Sequence, residues 1–148
     1  EPPRIYARML LDLINTPGLD VHALSHVTGG GLAANLARVL PTGALATVDR
    51  ATWTPPAVFS LVQHLGSVPQ EDLERTLNMG VGFVAVLPGD QADTAVRRSE
   101  ELGVPAWVLG EVAADPGTSG DAAGDGGDVV RGAKGVDGSA VRVSGTYA

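Results

Sequence analysis

Apolar positions along this chain follow two different periods, and the switches between them mark the elements. Across residues 4–15, Ile5, Met9 and Leu13 form one stripe at helical spacing, with Tyr6, Leu10 and Ile14 beside it. Pro17 and Gly18 then stop the helix. Residues 21–26 alternate instead: Val21, Ala23 and Ser25 stand against His22, Leu24 and His26, the pattern of an extended segment. Helical spacing returns over 32–40 and ends at Pro41, and residues 44–49 read as a short strand. The run 55–65 predicts a helix whose first turn holds prolines, where a missing N–H is harmless. Another is predicted over 69–78, with acids early and Arg75 late, as the helix dipole favours. Residues 80–88 are apolar at nearly every position, which predicts a strand buried on both faces. A helix over 90–103, a strand over 105–113 with Trp107 in the core, and an edge strand over 140–144 complete the series.

Helices and strands that mix in this order predict an α+β fold. The expected form is a single α/β/α layered domain over 1–148, with a mixed sheet of about four to five strands and its core within 4–113. Residues 115–139 break the pattern. Gly and Asp dominate there and large apolar residues are nearly absent, so the segment cannot bury enough surface to offset its ordering entropy and is expected to be a flexible loop.

Composition narrows the class of partner. A net charge of −7 with no Lys/Arg cluster argues against a nucleic-acid surface. No apolar run approaches the roughly 20 residues that span a bilayer, and the acidic, amphipathic start is not a signal peptide, so no membrane partner is expected and a cytoplasmic location is. The absence of cysteine excludes disulfides, thiolate catalysis and zinc–thiolate sites. The sequence opens at Glu1 without a methionine, which suggests a piece of a longer protein.

The stretch HVTGGGLAANLARVLP, residues 26–41, carries the most chemistry. A strand, a glycine turn and a helix start would leave backbone N–H groups pointing outward, a setting that favours phosphate. Thr28, Gly29, Gly30 and Gly31 are therefore a candidate anion pocket; a tight turn needed only for packing is the competing reading. The spacing fits neither a P-loop nor a dinucleotide fingerprint. His26 stands two residues before the glycines, where it would bind phosphate or move a proton near neutral pH. His22, four residues earlier on the same extended segment, reads as a hydrogen-bonded structural residue, and His64 as an exposed one.

A second candidate lies at TLNMGVGF, where Asn78 would bond a ligand or cap the helix end and Gly80 would admit a close approach. Trp53, beside Pro55 and Pro56, would wall a site or simply pack. The acidic-glycine pairs of the tail lack a calcium-loop frame, no metal-ligand set is expected, and no Ser-His-Asp or paired-carboxylate arrangement can be assembled.

Four spaced blocks carry a resemblance: VHALSHVTGGGLAANLARVLP, W-x-P-P-x-V-F-x-x-V-Q-x-x-G-x-V, E-D-L-x-R-T-L-N-M-G-V-G-F-V and A-W-V-L-G-E-V. In order, from about Arg4 to Val112, they resemble the C-terminal domain of aminoimidazole ribonucleotide synthase, the phosphoribosylformylglycinamidine cyclo-ligase. The resemblance implies an ATP- and Mg²⁺-dependent, C–N bond-forming ring closure of formylglycinamidine ribonucleotide in purine biosynthesis. A phosphate ester makes the formyl-amide oxygen a good leaving group, and the amidine nitrogen closes the ring. It further implies that ATP and Mg²⁺ are held mainly by the protein's own N-terminal domain, that the full-length protein is a homodimer, and that this piece alone is inactive. His26, Thr28 and Gly29 to Gly31 would face the cleft that holds the ribonucleotide, with Asn78 and Gly80 in the second motif; no catalytic role is assigned beyond His26 as a candidate. ATP-using relatives of the selenophosphate synthetase or thiamine-monophosphate kinase type, and a non-catalytic binding module, are the alternatives.

Overall fold

The computed structural model describes residues 5–115, 128–131 and 139–148. They form an α+β fold divided into two compact units, the first Glu1–Leu24 with Ala85–Val108, the second Ser25–Val84 with Leu109–Ala148.

In the first unit, α1 (Ala7–Asn15) buries Met9, Leu10 and Leu13. The outer positions of the predicted stripe stay in water, with Ile5 and Ile14 exposed. A 3₁₀ turn at Gly89–Gln91 leads into α5 (Ala92–Glu101), which buries Ala95 and Ser99. The two helices are joined twice. The Ser99 hydroxyl, which also donates to the Ala95 carbonyl, lies 3.7 Å from the Met9 sulfur. The Arg98 guanidinium forks onto the Asp12 carboxylate at 2.5 and 2.9 Å, and that hydrogen-bonded charge holds the Asp12 carboxyl below its ordinary range.

The second unit is built on a four-stranded mixed sheet in the order β4-β2-β6-β5. Strand β2 (Ala44–Asp49) pairs antiparallel with β4 (Gly110–Ala114) and parallel with β6 (Ala140–Ser144). Strand β5 (Asp128–Arg131) closes the other side against β6, antiparallel. The period of β2 is clean: Ala44, Ala46 and Val48 are buried while Leu45 and Thr47 are half-buried. Val48 and Val141 are fully buried, each worth about 1.5–3 kcal/mol of apolar burial. Helix α2 (Gly31–Ala37) packs Leu32, Leu36 and Ala37 inward, and the Ser139 hydroxyl donates to the Ala37 carbonyl at 2.6 Å. Helices α3 (Ala57–Gly66) and α4 (Gln70–Thr76) form as expected, but Pro56 and Pro69 stand just before them at the N-caps and not inside the first turn. Strands β1 (Ala23–His26) and β3 (Phe83–Val86) make a separate two-stranded sheet. Its hydrogen bonds, His22 N–H to Val86 O and Val27 N–H to Gly82 O, give it an antiparallel sense.

Several expectations are corrected. The mixed sheet has four strands, within the number expected, but β1 and β3 lie outside it as a separate pair. Residues 105–109 are not strand, and Trp107 is 37% exposed instead of in the core. β3 is shorter than 80–88 and half-buried throughout, because a strand with one partner is not sandwiched. The strand at 140–144 does form, but inside the sheet between β2 and β5. It gains an outer neighbour because Val129 and Val130 give the predicted loop four residues of strand. The remainder of that predicted loop, 116–127 and 132–138, lies outside the described residues.

Candidate functional site

The glycine stretch forms the corner between β1 and α2. Val27 is buried and its N–H donates to Gly82 O at 3.0 Å, so the end of β1 runs beside the approach to β3. The chain then turns through Thr28 and Gly29, both exposed, into Gly30 at φ 100° and Gly31 at φ 76°. These left-handed angles suit glycine and strain other residues. Helix α2 that follows is only seven residues long, shorter than the predicted 32–40, so its dipole adds less than the sequence pattern suggests.

Space divides the three glycines into different roles. A Cβ on Gly31 would lie 1.8 Å from the Glu74 carbonyl oxygen, so this glycine exists to let α2 and α4 touch. A Cβ on Gly30 would reach only the Asn35 amide, at 3.9 Å. One on Gly29 would meet nothing within 4 Å. Among the described residues, the N–H groups of Gly29 and Gly30 donate to no atom of the chain. The packing reading thus holds for Gly31, while the side of Gly29 is open.

Asn35 holds the corner in shape, and sequence reasoning passed over it. Its buried amide lies 2.7 Å from Gly31 O, 3.3 Å from Thr28 O and 3.4 Å from Gly29 O. These bonds tie the carbonyls of the turn to α2. The available signal was a lone polar residue inside an apolar helical run, four positions after Gly31.

The second motif comes alongside. Asn78 closes the turn after α4, its side-chain oxygen accepting from Gly80 N–H at 3.1 Å, while the helix end itself is capped by the Leu77 N–H on Leu73 O and not by Asn78. Met79 at φ 49° and Gly80 at φ 93° make the bend. A Cβ on Gly80 would stand 2.6 Å from Pro56 Cδ, so Gly80 admits a proline ring. Trp53 is buried and its indole N–H donates to Met79 O at 3.0 Å, the packing role. His26 is exposed and stacks on Phe83 at 5.6 Å with 17° between the rings. His22, also exposed, bonds Asp20 at 3.0 Å. The Val27–Gly82 bond and the Gly31–Glu74 contact bring the two motifs onto neighbouring segments. Among the described residues no hydrogen bond links Thr28–Gly31 directly to Asn78 or Gly80.

Behind the corner lies a buried ion pair that no local pattern announces. Arg50 forks onto Glu74 at 3.0 and 2.7 Å and also donates to the carbonyls of Val143 and Gly145. Gln70 and the Tyr147 hydroxyl donate to Glu74 Oε1 as well. Burial pushes the Glu74 carboxyl up, but the hydrogen bonds from Arg50 and Gln70 and the charge of Arg50 outweigh it, and the group lies below its ordinary value. Burial foremost, then the Glu74 charge, pushes the Tyr147 phenol well above its usual range. Because the Glu74 backbone is the surface Gly31 rests on, this cluster sets where the glycine corner stands.

A cavity of about 70 Å³ opens beside Gly30, lined mainly by apolar groups of Ala33, Trp53, Met79 and Tyr147. Sites that enclose small molecules run to about 300–1,000 Å³, so this cavity does not enclose a nucleotide. Among the described residues no three His, Asp or Glu side chains are grouped to hold a metal ion, and no helix is long and apolar enough to cross a membrane.

A family model described as "AIR synthase related protein, C-terminal domain" matches residues 1–122. A Streptomyces fradiae protein that carries the phosphoribosylformylglycinamidine cyclo-ligase name provisionally is 55% identical over 121 residues, covering 82% of this chain and 65% of that protein. The phosphoribosylformylglycinamidine cyclo-ligase of Symbiobacterium thermophilum is 46% identical over 117 residues, and that of Pseudothermotoga lettingae 40% over 119. This chain spans only 33% and 34% of their respective lengths.

Proposed function

The chain belongs to the AIR synthase related family as its C-terminal domain, and on that premise we propose that it is the cleft-facing part of an ATP-dependent cyclo-ligase acting on formylglycinamidine ribonucleotide. The names of the relatives favour this over the selenophosphate synthetase and thiamine-monophosphate kinase alternatives. The observation that carries the assignment to a surface is the open side of Gly29: the protein leaves that space empty while it fills the corresponding space at Gly31 and Gly80. A ligand's phosphate or carbonyl oxygen can approach the bare N–H groups of Gly29 and Gly30 there without meeting a side chain. Thr28 is exposed beside them and supplies a hydroxyl, and His26, exposed at the end of β1 and stacked on Phe83, supplies an imidazole two residues earlier. Asn78 and Gly80 shape the neighbouring bend.

Among the described residues, neither the side chains nor the cavity beside Gly30 fits Mg²⁺ or a whole nucleotide. The described residues offer no cluster of carboxylates or imidazoles for the metal, and the cavity beside Gly30 is too small for a nucleotide. ATP and Mg²⁺ are therefore assigned to the part of the longer polypeptide outside this chain, and the part played here is to bind and orient the ribonucleotide. Preorganisation of that kind acts through position, so loss of a contact at the corner weakens substrate binding first.

The test is ring closure by the full-length polypeptide. Gly29→Ala, which fits the folded chain, is expected to raise the KM for the ribonucleotide about tenfold or more while the KM for ATP stays within about twofold, a loss of about 1.4 kcal/mol of binding. An unchanged KM for the ribonucleotide removes the corner from the site. Absence of ATP-dependent ring closure in the wild-type polypeptide overturns the activity itself.

A further inference from the structure

Helix α3 presents an apolar stripe that none of the described residues of its unit covers. Its sequence, AVFSLVQHLG, contains no Asp, Glu, Lys or Arg. Val58, Leu61, Val62 and Leu65 fall at i, i+3, i+4 and i+7, one face of a helix, and they are 56, 56, 43 and 76% exposed. Not one of the ten residues is buried. The helix is anchored from another side, where Phe59 and Gln63 are half-buried and Pro56 seats against Gly80. Helices this short draw their stability from packing of an apolar face, yet here that face points outward.

We propose that the Val58–Leu61–Val62–Leu65 stripe is the docking surface for the part of the longer polypeptide that lies outside this chain. The inference rests on the proposed function only in requiring that longer polypeptide. Two observations choose this occupant over a second copy of the chain. The stripe is small: four partly exposed aliphatic side chains on a ten-residue helix make a patch on the order of 300–400 Å². A stable interface between separate molecules takes about 800 Å² from each partner. Contacts between domains of one polypeptide bury as little as about 600 Å² in total, half from each side, because the tether supplies the proximity. The second observation is length. The chain accounts for 33% and 34% of two relatives, so most of such a polypeptide is available to cover the stripe, and with no formal charge on α3 the complementary surface must be apolar as well.

Hydrogen exchange on the full-length polypeptide tests this directly. The amides of residues 57–66 are expected to exchange at least tenfold more slowly in the wild type than in the Leu61→Glu/Leu65→Glu variant. Ser60→Glu, which lies off the stripe, is expected to match the wild type, and the amides of β2 and β6 are expected to be unaffected by either change. Should the double charge variant fail to fold, Leu65→Gln serves in its place. Wild-type α3 amides that exchange as fast as those of the variant overturn the proposal. Protection that rises with protein concentration also overturns it, by assigning the stripe to a second copy. A polypeptide that protects α3 yet closes no ring leaves the docking surface standing and removes only the proposed activity.

Discussion

Three consecutive glycines look alike in a sequence, and each has a different neighbour in the fold. Gly31 is pressed against the Glu74 carbonyl, Gly30 turns the chain at φ 100°, and Gly29 borders open space. Gly31→Ala combines a backbone clash with a positive φ and is expected to destabilise the chain by about 2–4 kcal/mol. Gly29→Ala meets nothing and is expected to stay within about 0.5 kcal/mol of the wild type. Chemical denaturation of the two variants checks the pair; equal losses would contradict the division of roles. The motif was legible in the sequence because glycine runs are rare inside regular structure. Its internal division was not, because the atom that excludes a side chain at Gly31 comes from α4. Asn35 was missed for a related reason: its amide serves three carbonyls that only the folded turn brings together.

At the scale of elements, α4 joins the site to the core. Its Glu74 offers a carbonyl to Gly31 and a carboxylate to Arg50, Gln70 and Tyr147. Removing the charge leaves Arg50 buried without its partner, so Glu74→Gln is expected to cost about 2–4 kcal/mol near pH 7. The pH dependence follows from the direction of the shift. A carboxyl lowered in the fold contributes stability that is fully present above its ordinary value of 4.5 and is lost as pH falls below it. The gap between wild type and Glu74→Gln in urea denaturation should therefore narrow as pH drops below about 4.5. A gap independent of pH would show that the pair is not the source. Tyr147 acts in the opposite sense, its neutral form being favoured, so its contribution is present below 10.0 and lost as pH rises beyond it. Helices were the readable elements, since apolar spacing and helix-starting prolines are local signals. Strand boundaries and order were not. The position of β6 inside the sheet depends on pairing with β2 across most of the second unit and on β5 arising from two valines in a glycine-rich stretch.

For the molecule as a whole, the described residues make two compact units, in a chain that spans about a third of the length of two relatives bearing the cyclo-ligase name. Composition excluded much, including disulfide and thiolate chemistry, but it could not point to a site; the four motif blocks together with the open corner at Gly29 supply the candidate. The proposed division of labour has this chain orient the ribonucleotide while the rest of the polypeptide holds ATP and Mg²⁺. The most direct measurement is an amide proton–nitrogen NMR titration of the full-length polypeptide with formylglycinamidine ribonucleotide. Within this chain, the largest shifts are expected on Gly29 and Gly30, with smaller ones at Thr28 and Gly80. Saturable binding that leaves Gly29 and Gly30 unmoved would contradict that division of labour.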